Sequence, residues 1–115
     1  AGRIVSIGQK VTDVAAIQGQ YIGLVRFNGQ GLAALRELVR REQAANLAGR
    51  TVLSSKPFDR MYMTDLLQGA IRAGLAVHPV WIDGGWLEID NPRDLALAEE
   101  YVLPDGEGLR VRRNP

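Results

Sequence analysis

The sequence predicts an α/β fold in which a mixed sheet is flanked by helices. Four β-rich runs lie at residues 3–11, 20–28, 75–82 and 85–89. Three segments with the period of a helix lie at residues 32–46, 63–74 and 91–103. The resulting order, β-β-α-α-β-β-α, is typical of domains that layer helices on a sheet.

The first two runs carry the signature of strands. In "RIVSIGQKV" the side chains alternate along the chain, and the run ends in a turn. "QYIGLVRFN" is rich in aromatic and branched side chains, with Gly23 in its interior. A glycine at that position predicts a bulge or the close approach of another group.

The first two helices follow from periodicity and end signals. One face of the first helix is apolar, and its members are Leu32, Leu35, Leu38 and Val39. The remaining faces carry charged residues, namely Arg36, Glu37, Arg40, Arg41 and Glu42. For the second helix, Thr64 is the predicted N-cap, Asp65 favours the positive helix end, and Gly74 fits the C′ position.

The last part of the chain reads as two strands and a helix. "LAVHPVWI" is apolar except for His78, as an interior strand would be, but Pro79 cannot donate to a ladder. The third helix starts at "NPRD", with Asn91 as N-cap, Pro92 at N1 and Asp94 at N3.

Composition excludes several classes of function. The chain has 115 residues, of which 46% are apolar and 23% charged, and its net charge is +1. These values predict one globular domain and no general attraction to nucleic acid or to an anionic membrane. The absence of cysteine excludes disulfides and thiolate metal sites and is compatible with the cytoplasm.

No apolar run approaches the ~20 residues of a membrane span. Residues 104–115, which are rich in arginine, are predicted to be a flexible C-terminal tail.

Acidic side chains gather where the last predicted strand meets the third helix. Trp86, Glu88 and Asp90 are two residues apart and share one face of a strand. Ligands of open α/β sheets bind at such carboxyl ends, and Mg²⁺ is held by one or two protein carboxylates together with water and phosphates. The alternative is that Asp90 is a turn residue beside the helix cap and Glu88 is solvated.

Three segments in order, "GQYIGLVRF", "TDLLQGAIRAG" and "GWLEIDNPRDLALAEEY", resemble the C-terminal half of a nucleotidyltransferase. The similarity is greatest to the phosphocholine and sugar-phosphate cytidylyltransferases of the MobA-like group, and it runs from about Arg3 to Val102. The family pattern W-x-E-I-D-x-x-x-D-L is matched at Trp86, Glu88, Ile89, Asp90, Asp94 and Leu95. The resemblance implies the C-terminal portion of a nucleotide-diphospho-sugar transferase-like fold.

The resemblance also implies chemistry. These enzymes transfer a nucleotidyl group to a phosphate of a second substrate and release pyrophosphate, chiefly by alignment and charge neutralisation. By resemblance, Asp90 would be the second of two aspartates that hold Mg²⁺, and Lys10, the candidate catalytic residue, would lie near the acceptor phosphate. Acceptor-binding candidates are Tyr21, Gly23, Trp86 and Glu88. The residues themselves also allow Lys10 to be a surface lysine, Gly23 a bulge and Trp86 a packing residue, and Gln20 replaces a glutamate common in relatives.

Two features of the family are not found in the sequence. A Gly-rich loop with arginine and lysine for the triphosphate is absent, as is the first metal-ligating aspartate. Residues 1–103 are therefore expected to be a partial domain, the acceptor-binding half of a cytoplasmic enzyme that uses a nucleoside triphosphate, CTP by resemblance. We expect it to pair with an N-terminal half or with itself. The alternative is a non-catalytic, self-associating α/β module that retains Asp90 without its role.

Overall fold

The computed structural model describes residues 2–104 and 109–111. Three α-helices carry most of the regular structure of these residues: α1 is Gly29–Leu47, α2 is Met63–Arg72 and α3 is Pro92–Tyr101. Single 3₁₀ turns lie at Val14–Ala16 and Phe58–Arg60. The chain divides into two units, Ala1–Pro79 and Val80–Pro115. No helix in the described part of the chain is both long enough and apolar enough to cross a membrane.

All three predicted helices are present, and their ends follow local chemistry. Helix α1 begins after Asn28, whose side-chain oxygen accepts from the N–H of Gly31 at 2.7 Å. The predicted N-cap of α2 is wrong, because the helix begins at Met63 and Tyr62 is its N-cap. Gly74 takes the predicted C′ position with φ +91°, the left-handed conformation that favours glycine there.

The predicted mixed sheet is wrong. Within the described residues, the strands are β1, Val102–Pro104, and β2, Leu109–Val111, which pair antiparallel. Val102 pairs with Val111, and Pro104 pairs with Leu109. The predicted tail 104–115 thus contributes one strand of this hairpin; residues 105–108 and 112–115 lie outside the described part, and the flexibility of the tail stays a prediction.

None of the four β-rich runs forms a strand, and the reason is a lack of partners. One backbone hydrogen bond links the first and third runs, from the N–H of Ile4 to the carbonyl of Val77 at 2.8 Å. A high β-propensity means that the side chains suit a pleated, half-buried surface. Such a run forms a strand only where an adjacent strand pairs with its backbone and side chains. Side chains that a sheet would cover, such as Leu24 and Val80, are exposed instead.

The core of the first unit lies between α1, α2 and the loop that joins them. Its buried apolar side chains are Leu35, Ala45, Leu53, Leu67 and Ala70. Gly69 allows the close approach of the loop, because a Cβ at this position would lie 2.8 Å from Cβ of Leu53 and 3.0 Å from its carbonyl oxygen. In the second unit, Ala98 of α3 is buried.

Candidate functional site

A carboxylate in the first turn of α2 organises the region around it. Oδ2 of Asp65 accepts from the backbone N–H of Tyr62 at 2.9 Å and from Nζ of Lys56 at 2.6 Å. The pKa of Asp65 is lowered chiefly by the hydrogen bond from Lys56, and further by the backbone N–H of Tyr62 and the charge of Lys56. These effects outweigh that of burial, which raises the pKa. Asp65 is therefore an ionised anchor that joins the loop before α2 to the start of the helix.

Lys56 is held in place although it is partly open to solvent. Its side chain is 41% exposed, and Nζ lies 4.5 Å from the centroid of the Tyr62 ring. Cation–π contacts of this kind contribute about 0.5–1 kcal/mol at exposed sites. Because Tyr62 is itself 71% exposed, the ammonium and the ring form a surface feature that solutes can reach.

The segment that carries Lys10 passes over the same helix turn. Gly8 has φ +70°, and a Cβ at this position would lie 2.7 Å from Cβ of Thr64. The preceding residue, Ile7, donates its N–H to Oε1 of Gln68 at 2.8 Å. Glycine is therefore required by both conformation and space, and the exposed Lys10 follows two residues later in the chain.

A shallow cavity of about 150 Å³ lies at the start of α1. It is lined mainly by apolar side chains of α2 and of the third β-rich run, with Arg26 and Asn28 at the helix start. The predicted acceptor residues Tyr21 and Gly23 precede this region: Tyr21 is half-buried, and Gly23 is exposed with φ +85°. The bulge predicted at Gly23 is wrong because no strand forms around it in the described part of the chain, and a Cβ at this position would meet nothing within 4 Å, so no close approach requires glycine there.

The second unit contains the motif that carries the family resemblance. Oδ1 of Asn91 accepts from the N–H groups of Arg93 at 2.9 Å and Asp94 at 3.1 Å, which confirms the predicted helix cap. Oδ2 of Asp94 in turn accepts from Nδ2 of Asn91 at 2.7 Å and from the N–H of Asp90 at 3.1 Å. Asp94 is therefore engaged in the cap, whereas the Asp90 side chain is exposed.

The other predicted residues of this unit lie in an irregular segment. Trp86 is half-buried and Glu88 is exposed. The shared face expected of Trp86, Glu88 and Asp90 depended on a strand that does not form. Among the described residues, no group of three or more His, Cys, Asp or Glu side chains could hold a metal ion. An Mg²⁺ ion bound by Asp90 would therefore need its other ligands from substrate phosphates, from water or from other residues.

Glu42 of α1 is a buried acid that sequence reasoning missed. It is 0% exposed, and its Oε2 accepts from the N–H groups of Val52 at 2.8 Å and Leu53 at 2.7 Å. Oε1 is buried without a hydrogen-bond partner in the described residues. The signal was present in the sequence, because position 42 lies on the same helical face as Leu35 and Ala45.

Comparison with known proteins confirms the resemblance to the cytidylyltransferases. The chain is 35% identical over 102 residues, 86% of its length, to a CTP:phosphoglutamine cytidylyltransferase of Campylobacter jejuni. The chain spans 37% of the length of that relative. No family model matches the chain, and no solved structure matches it. The individual roles inferred for Lys10, Tyr21, Gly23, Trp86, Glu88 and Asp90 stay predictions.

Proposed function

We propose that the chain is the acceptor-binding portion of an enzyme that transfers a cytidylyl group from CTP to a phosphorylated small molecule and releases pyrophosphate. The match to the Campylobacter jejuni cytidylyltransferase carries this proposal. That relative acts on phosphoglutamine by name, and phosphocholine, a sugar phosphate and a phosphonate are the acceptors implied by the family resemblance. All share a terminal phosphorus oxyanion as the attacking group.

The proposed contribution of this chain is to bind the acceptor and to position it for the reaction. Nucleotidyl transfer needs an acceptor oxygen aligned with the α-phosphorus and cations that neutralise the developing charge. Lys10 lies in the first unit and supplies one cation. By resemblance to the family, Tyr21, Gly23, Trp86 and Glu88 are proposed as acceptor-binding residues.

Asp90 is proposed to bind Mg²⁺, and its surroundings fit this role in part. Its side chain is exposed, and among the described residues no hydrogen bond is made by its carboxylate oxygens. One carboxylate is a common protein contribution to a magnesium site whose other ligands are water and substrate phosphates. When bound, the ion would neutralise negative charge on the triphosphate.

The test of this role is an activity assay of the natural full-length polypeptide with CTP, Mg²⁺ and a panel of the four acceptors, with pyrophosphate release as the readout. Asp90→Asn should lower kcat/KM by about 10²-fold or more, because a metal supplies several kcal/mol of charge stabilisation. Asp83→Asn is the matched control, since Asp83 is an exposed aspartate of the same unit. Equal activity of the two variants would show that Asp90 binds no catalytic metal.

A second candidate function is a non-catalytic, self-associating module. The exposure of large apolar side chains in segments without regular structure favours it, for example at Leu24, Val80 and Trp81. Sedimentation at micromolar concentration should then show a dimer or larger species. Saturable binding of CTP with Mg²⁺ by such a species would argue against a purely structural module.

A further inference from the structure

Lys56 has the properties of a cation positioned for a ligand. Lysine side chains carry about 2 kcal/mol of rotamer entropy, yet here Nζ is fixed by Asp65 at 2.6 Å and lies over the ring of Tyr62. The backbone is fixed as well, because the N–H of Lys56 donates to Oγ of Ser54 at 3.1 Å. The entropy of ordering this side chain is therefore already lost before a ligand arrives.

The ammonium retains donors for a further partner. An ammonium has three N–H donors, and among the described residues Asp65 is the hydrogen-bond acceptor that Nζ contacts. The side chain is 41% exposed, so the remaining donors can reach solvent.

Lys10 approaches the same turn of α2 from the other segment. Gly8 packs against Thr64, the residue before Asp65, and two extended residues span at most about 7 Å. The Cα of Lys10 therefore lies no more than about 7 Å from that of Gly8, and its flexible four-carbon stem carries an exposed charge. Gly8, which cannot be replaced without strain, thus brings the segment that carries Lys10 to the turn of α2 that contains Asp65.

We infer that Lys56 is a second phosphate-binding cation and that it holds, together with Lys10, the phosphate of the acceptor. The inference rests on the proposed function for the identity of the acceptor as a phosphate ester. A phosphate monoester carries −1.5 to −2 charges at about pH 7 and three acceptor oxygens, which two ammonium groups can share. Asp65 orients Lys56 and does not itself touch the phosphate.

The experiment titrates the 115-residue chain with inorganic phosphate at about pH 8, where the dianion dominates, and follows the Lys side-chain signals by NMR. Lys56→Gln and Lys10→Gln should each weaken binding roughly 10-fold or more, because a hydrogen bond to a charged group contributes about 1.5–3 kcal/mol. The matched control is Arg41→Gln, which removes one positive charge from an exposed pair with Glu37. It should change the affinity less than twofold.

Three results would overturn the inference: no saturable phosphate binding by the wild-type chain, equal weakening by Arg41→Gln and Lys56→Gln, or unchanged affinity in Lys10→Gln. Helical circular dichroism verifies that Lys56→Gln is folded, and Lys10→Gln tests the site independently if it is not. Phosphate binding needs no turnover, so its outcome is separate from that of Asp90→Asn. Loss of phosphate binding in Lys56→Gln with normal turnover in Asp90→Asn would retain this site and reject the metal role.

Discussion

Removal of the Glu42 side chain should be among the most damaging single changes in the chain. Glu42→Ala leaves the N–H groups of Val52 and Leu53 without their acceptor, 2.8 and 2.7 Å away in the structure. An unsatisfied buried polar group costs about 1–3 kcal/mol. Because Leu53 is buried and Val52 is exposed, the cost should fall mainly on Leu53, and we expect a total loss of about 2–4 kcal/mol.

This loss is large compared with the stability of the whole domain. At about 0.05–0.15 kcal/mol per residue, a chain of this length has a free energy of unfolding of about 6–17 kcal/mol. Glu42→Gln is the matched control, since its amide oxygen can accept the same two N–H groups. Its loss should be smaller than that of Glu42→Ala, because both N–H groups keep an acceptor and the remaining cost, about 1–3 kcal/mol, is that of placing an amide NH2 at the buried position of Oε1.

Urea-induced unfolding followed by circular dichroism measures both variants. The urea midpoint should fall more for Glu42→Ala than for Glu42→Gln, with the dependence of the free energy on urea unchanged. Equal destabilisation by the two substitutions would mean that acceptance of the two N–H groups is not what Glu42 contributes. A loss below about 1 kcal/mol for Glu42→Ala would show that the loop finds other acceptors.

Three further predictions concern α2 and its neighbours. Gly69→Ala should destabilise the chain by about 1–3 kcal/mol, as overpacking does, because its Cβ would meet backbone as well as side chain of the adjoining loop; a stabilised variant in urea unfolding would contradict this. Leu67→Ala should cost about 2–5 kcal/mol, as large-to-small core changes do, since Leu67 is 2% exposed, whereas Leu47→Ala at a 93% exposed position should change the unfolding free energy little. Because Lys56 lowers the pKa of Asp65, this carboxylate stabilises the fold above its unfolded pKa of about 3.9 and loses that contribution as the pH falls through its lower folded value. Asp65→Asn should therefore flatten the fall in thermal midpoint below about pH 4, and an unchanged acid dependence would refute the pairing.

The helices could be predicted from the sequence because their signals are local. Periodicity and caps lie within a few residues of each other, so Asn91 and Gly74 were assigned correctly. Strands differ, since a β-rich run becomes a strand only beside a partner that the run itself does not encode. The alternation in "RIVSIGQKV" was real, but it yields one backbone bond, at Ile4.

The candidate site was harder to predict than the helices, for a related reason. Asp90 and Lys10 were found through a family pattern, which is a property of sequence. Lys56 was missed because its significance comes from contacts with residues six and nine positions away across a loop. Glu42 was assigned to the solvent on charge alone, although its helical face is apolar.

The buried carboxylate of α1 has a mechanical consequence for the surface lysine. Glu42 clamps the backbone at residues 52 and 53, Ser54 fixes the N–H of Lys56, and Asp65 fixes the ammonium. These hydrogen bonds link the interior of α1, through residues 52–56, to the first turn of α2. The position of the Lys56 ammonium at the start of α2 therefore depends on a buried side chain of α1 as well as on the residues that Lys56 itself contacts.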